Sequence, residues 1–184
     1  MSHITRIAVS ANITDTSLLH KAIEYCKLKC ETGGDRIYVT IPNHSWRLVL
    51  SKIDGLYSAS SESYVASDAQ QTMQRIISGY NLAQALQTSE YAAADEIEID
   101  LDEEGYPVAR VRWYSDGSPK EMSIKTQDNG KMLFEAEGFH GEGCIEMLDA
   151  ALDHIRSFGA DVTVEDQESK GERYAVAEAD YATY

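Results

Sequence analysis

No stretch of the sequence approaches the ~20 consecutive apolar residues that a membrane-spanning helix requires. The opening residues, Met1 to Arg6, lack the apolar core of a secretory signal. Cysteine is scarce. Cys26, Cys30 and Cys144 form an odd set with no Cys-x-x-Cys spacing, which argues against a disulfide framework and for a reducing compartment. The expected location is the cytoplasm, or the chloroplast stroma for a plastid-encoded chain. Basic residues are few as well, 16 Lys and Arg against 31 Asp and Glu, for a net charge of −15. Residues 1–92 carry eight of each sign, whereas residues 93–184 carry eight basic against 23 acidic. A nucleic-acid binder would show a basic stripe instead. The acidic second half suits solubility, a basic protein partner, or mimicry of nucleic acid.

What is present reads as a globular α+β protein, a mainly antiparallel sheet with two helices followed by a ββα unit. At 184 residues a chain buries roughly 70% of its unfolded surface and needs no covalent staples. Ile4–Val9 is β-prone. Thr14 and Asp15 offer a helix N-cap ahead of Leu18, Leu19, Ala22, Ile23 and Cys26, and Gly33-Gly34 is the expected stop. Arg36–Ile41 and Trp46–Leu50 are β-rich around the turn Pro42–Ser45. Asp54-Gly55 is a strong hairpin signal before Leu56–Ser60. Ser67-Asp68 is the expected cap of a longer helix with the stripe Met73, Ile76, Ile77, Tyr80, Ala83 and Leu86.

Glu96–Leu101 alternates as a half-buried strand does, with Ile97, Ile99 and Leu101 on one face and Glu98, Asp100 and Asp102 on the other. Tyr106–Tyr114 is its expected partner, and Ser115–Pro119 is the best linker candidate. Beyond it, Asp128-Asn129-Gly130 predicts a hairpin between Glu121–Thr126 and Lys131–Glu137. A helix over Cys144–Phe158 and a strand over Ala160–Glu165 follow. The composition divides the chain into an α+β domain over 1–115, a ββα(β) unit over 119–166 and an acidic, mobile tail over 167–184.

Catalytic patterns fail one by one. Asp100, Asp102 and Glu104 resemble the start of a calcium loop, but the closing carboxylate position falls on Val111. Gly138–Gly143 lacks the lysine and hydroxyl of a phosphate-binding loop. His140, Cys144 and His154 do not make a zinc set, and His3, His20 and His44 suggest no Ser/His/Asp arrangement. No catalytic residue, metal or cofactor is therefore expected. Cys144 is the candidate reactive thiol, since the first turn of a helix lowers a thiol's pKa, although Glu142 and Glu146 oppose it. A small buried cysteine packing the helix is the plainer reading.

Two groups of residues carry a resemblance. The opening Met1-Ser2-His3-Ile4-Thr5-Arg6-Ile7, the run Gln74–Leu86 and the hairpin ending Arg110-Val111-Arg112-Trp113 resemble the ycf-thirty-five type, domain of unknown function twelve-fifty-seven, over about residues 1–115. Residues 119–184 resemble domain of unknown function twenty-nine ninety-seven. That match rests on Asp128-Asn129-Gly130, on Gly138, Gly141 and Cys144, and on Glu172-Arg173-Tyr174. The resemblance implies a fusion of two proteins whose genes tend to lie beside MoxR-like AAA+ ATPases. It implies a non-enzymatic accessory or adaptor of such a complex, binding through the acidic second half with Glu98, Asp100, Asp102, Tyr174, Tyr181 and Tyr184 as the contacts. Two alternatives are an acidic nucleic-acid mimic, cellular or phage-encoded, that inhibits a basic DNA- or RNA-binding protein, and a thiol redox protein using Cys144.

Overall fold

The computed structural model describes residues 5–7, 12–61, 66–114, 119–127, 131–137, 150, 153, 161–169 and 172–180. The chain is α+β, with two antiparallel sheets and a long helix between them. The elements are β1 (Thr5–Ile7), α1 (Thr16–Tyr25), β2 (Cys30–Gly33), β3 (Arg36–Thr40), β4 (Arg47–Ile53) and β5 (Leu56–Ser61). Then come α2 (Ala66–Leu86), α3 (Ser89–Ala92), β6 (Glu96–Leu101), β7 (Pro107–Trp113), β8 (Lys120–Thr126), β9 (Lys131–Glu137), β10 (Asp161–Ser169) and β11 (Glu172–Asp180). The first sheet has the order β1-β5-β4-β3-β2, the second β10-β11-β9-β8-β7-β6.

Local chemistry accounts for several boundaries. Asp15 caps α1, its Oδ1 accepting the Leu18 N–H at 2.9 Å. The helix then stops at Tyr25, well short of Gly33-Gly34, because Lys27 turns left-handed at φ +52°. Cys30–Gly33 is instead a strand on β3, and Gly34 at φ +64° makes the turn between them. Helical spacing up to Cys26 hid this strand, whose four residues are all exposed. The Asp54-Gly55 hairpin is as expected, with both residues at positive φ and Ile53 paired to Leu56. α2 begins at Ala66, which places Ser67 and Asp68 in its first turn, and Asp68 favours that positive end of the helix dipole.

α2 is the organising element. Every residue from Ile76 to Leu86 is buried. Met73, Ile76, Ile77, Tyr80 and Ala83 pack with α1 and with Ile37, Val39, Leu48 and Leu50 of the first sheet. Leu82, Ala85 and Leu86 pack with Tyr91 of α3 and with Val111, Met122, Ile124 and Phe134 of the second. A helix covered on all sides depends on protein partners for its polar side chains. Ser78 finds one, donating to the Gln127 carbonyl at 3.0 Å, whereas Gln84 Oε1 has none among the described residues. Gly79 lets α1 cross closely, since a Cβ there would lie 2.7 Å from the Ala22 carbonyl oxygen.

The expected division at residues 115–119 is not a boundary in the structure. β7 and β8, on either side of it, pair from Val108↔Lys125 to Trp113↔Lys120. Leu82 and Tyr91 share one core with Met122 and Phe134. Ladder hydrogen bonds and a common apolar layer join the two sides, whatever the turn composition between them. The expected mobile tail is also different, because residues 172–180 form β11 and bond to both β9 and β10. The expected helix over Cys144–Phe158 lies outside the described residues except for Ala150 and Asp153, which are helical. Among the described residues no helix is long and apolar enough to cross a membrane.

Candidate interaction site

β6 is an edge strand of the second sheet, paired with β7 alone among the described strands. Its register sets Glu96 opposite Arg112, Glu98 opposite Arg110 and Asp100 opposite Val108. The acids therefore share one face, and Ile97, Ile99 and Leu101 share the other. Because the strand is at the edge, that second face is incompletely covered, and Ile97 remains 41% exposed.

Arg112 organises the acidic face. Its Nε donates to Glu121 Oε2 at 2.6 Å, and its Nη1 lies 3.3 Å from Glu96 and 3.5 Å from Glu98. Tyr114 donates its hydroxyl proton to Glu96 Oε2 at 2.6 Å. The hydrogen bonds from Tyr114 and Arg112 hold the Glu96 carboxyl below the usual carboxylate range, and those to Glu121 and Glu96 push the Arg112 guanidinium higher still. Lys27 bonds Asp100 at 2.8 Å and, with the Leu101 N–H, holds that carboxyl low.

These contacts sort the expected residues. Among the described residues Glu98 has only the 3.5 Å approach of Arg112, leaving it the least committed acid on the strand. Asp100 is exposed yet paired. Asp102 is first a turn former, its Oδ1 accepting the Glu104 and Tyr106 N–H groups at 2.9 Å each. Tyr174 stands on β11 opposite Glu135, four strands from β6, so about 19 Å of sheet separates it from Glu98. The structure does not bring those two together. Tyr181, Tyr184 and Cys144 lie outside the described residues. The alternation found the acidic face, but the roles of Arg112, Tyr114 and Lys27 needed the pairing register and the position of α1.

Two other places hold polar groups. Cys26 is buried and donates to the Arg75 carbonyl at 3.0 Å. Burial pushes its thiol up to about 12, which leaves it unreactive. Cys30, by contrast, is exposed. His44 Nε2 lies 2.5 Å from Asp68 Oδ2, and its ring stacks on Trp46 at 5.2 Å. This pair ties the β3–β4 turn to α2. Asp68 also borders an open cleft of about 730 Å³ lined by Ser67, Gln71, Gln74, Glu104 and Tyr106. Among the described residues, no three His, Cys, Asp or Glu side chains are grouped to hold a metal ion.

No family model, curated protein or solved structure matches the chain.

Proposed function

We propose that the chain is a non-enzymatic binding protein that docks a basic partner on the acidic edge of its second sheet. The observation that carries this is the concentration of exposed carboxylates along β6 and its turn: Glu96, Glu98, Asp100, Glu103 and Glu104. Arg112 and Lys27 neutralise part of this row and hold its geometry, and the remainder is available to a partner. Exposed ion pairs contribute only about 0–1 kcal/mol each and exchange readily. Steering by the surplus negative field supplies encounter rate and partner choice more than raw affinity.

The resemblance makes an AAA+ ATPase of the MoxR-like kind the first partner to assay, and the protein its accessory. Phosphate mimicry takes second place, because Arg112 sits within the row where a mimic would present acids alone. Salt-stepped capture from the native host, using the tagged full chain and a Glu98→Lys/Glu103→Lys variant, tests the reading. A basic protein retained by the native chain and released by the variant supports it, and altered ATP turnover in that protein identifies the ATPase. Capture that is indifferent to the two reversals removes the acidic edge from the function.

A further inference from the structure

Docking of a basic partner on the acidic edge names a surface, and the backbone of β6 specifies how a partner sits on it. The Asp102 N–H donates to the Tyr106 carbonyl at 2.9 Å. Antiparallel pairs alternate between bonded and non-bonded every residue. Asp100 and Glu98 therefore direct their N–H and C=O groups to β7, and Leu101, Ile99 and Ile97 direct theirs to the free edge; the alternation ends at Glu96, where the Asp95 N–H donates to the Arg112 carbonyl at 3.0 Å. Leu101 bears this out, since its N–H turns to the Asp100 carboxylate at 2.9 Å instead of to β7. That contact, with Lys27 on the same carboxylate, closes one end of the edge. Among the described strands none pairs with the rest of it, at Ile97 and Ile99.

Resting on the acidic-edge reading, we infer that β6 accepts an extended segment of the partner as an added antiparallel strand whose basic and apolar side chains alternate. The pattern follows from the pleat. Residues directly opposite share a face, so the partner places apolar side chains against Ile97 and Ile99, and lysine or arginine against Glu96 and Glu98. Main-chain hydrogen bonds supply affinity and the alternate side chains supply choice, as in other strand additions.

The edge lacks most of the devices that normally forbid pairing. It has no proline or lysine within Glu96–Leu101, and no charge turned toward the core. The free edges of the first sheet are by contrast short, three residues in β1 and four in β2. What β6 has is a row of outward acids. Against a second copy they would set carboxylate beside carboxylate, which is repulsive. Against a basic strand the same row is attractive. The edge is thus closed to self-association and open to one charge class of partner.

The test uses the full chain and three fluorescent nine-residue peptides. The first alternates lysine and valine, the second groups the same residues in two blocks, and the third is the alternating peptide N-methylated at its valines. Strand addition gives binding of the first at least tenfold tighter than of the other two. It also slows hydrogen exchange at the Ile97 and Ile99 amides at least tenfold, while the Glu98 and Asp100 amides, already bonded to β7, do not change. Ile97→Pro, which sacrifices no bond to β7, weakens binding at least tenfold with the fold intact by circular dichroism. Equal binding of all three peptides without that alternate protection overturns strand addition and leaves charge docking standing. Undiminished binding of the alternating peptide by Glu98→Lys overturns the acidic-edge reading itself, and no binding of that peptide overturns the inferred mode.

Discussion

Gly79→Ala is a sign test of the packing around α2. Taken alone, the substitution favours the helix by about 1 kcal/mol, since alanine is the better helix former. The structure predicts the opposite outcome. The new methyl would stand 2.7 Å from the Ala22 carbonyl oxygen, 3.2 Å from Ala22 Cα and 3.2 Å from Cys26 Sγ. The nearest neighbour is backbone, held by the Asp15 cap and by Leu18, Leu19 and Ile23 in the core, so no side chain can rotate aside. Overpacking of this kind costs about 1–3 kcal/mol, and the shortness of the contact favours the upper half. Subtracting the propensity gain leaves a net loss of about 1–2 kcal/mol. For a chain of this size that is a fall in thermal midpoint of about 2–8 °C. Urea unfolding followed by circular dichroism measures the change at constant m-value. Adding Cys26→Ala removes the sulfur contact but not the carbonyl one, so the penalty should persist in that background. A Gly79→Ala protein as stable as the native chain, or more stable, refutes the close crossing of α1 and α2.

Phe134→Ala should cost about 3–5 kcal/mol in the same assay, because the ring is 2% exposed at the centre of the second sheet's core. Unfolding should remain one cooperative transition in which probes on both sheets change together; two separated transitions would restore a division near residue 115. A thiol reagent applied to the folded protein near pH 8 should label Cys30 and spare Cys26 until the chain unfolds, as read by peptide mass mapping. Glu96 and Asp100 have carboxyls held below their unfolded values by Tyr114, Arg112 and Lys27. Their contribution is complete above the unfolded carboxylate range and disappears as pH falls through the lowered folded values. Thermal midpoints should drop from about pH 5 to about pH 3, and a Glu96→Gln/Asp100→Asn variant should show a shallower drop.

Much of the fold is written in local patterns. Asp15, Asp54-Gly55 and the alternation of Glu96–Leu101 each act within a few residues, so caps, hairpins and faces could be read directly. Long-range partners could not. Cys30–Gly33 is polar on both faces and becomes a strand only because β3 pairs with it. Residues 172–180 resemble a solvated tail in composition, yet their backbone bonds to β9 and β10. The turn-rich 115–119 segment signals a break in the chain but not a break in the sheet. For the candidate site, period two located the acids of β6. That Asp102 shapes a turn, that Arg112 knits three carboxylates, and that Tyr174 lies four strands away are facts of register and sheet order, which no spacing along the chain encodes.

Site-specific crosslinking tests the partner surface most directly. A photo-reactive side chain is placed at position 98, on the acidic edge, and separately at position 58, on an exposed face of β5 in the other sheet. Irradiation in the native host should join position 98 to a single basic protein and position 58 to none. Crosslinks of equal yield at both positions, or none at position 98, would contradict docking on β6.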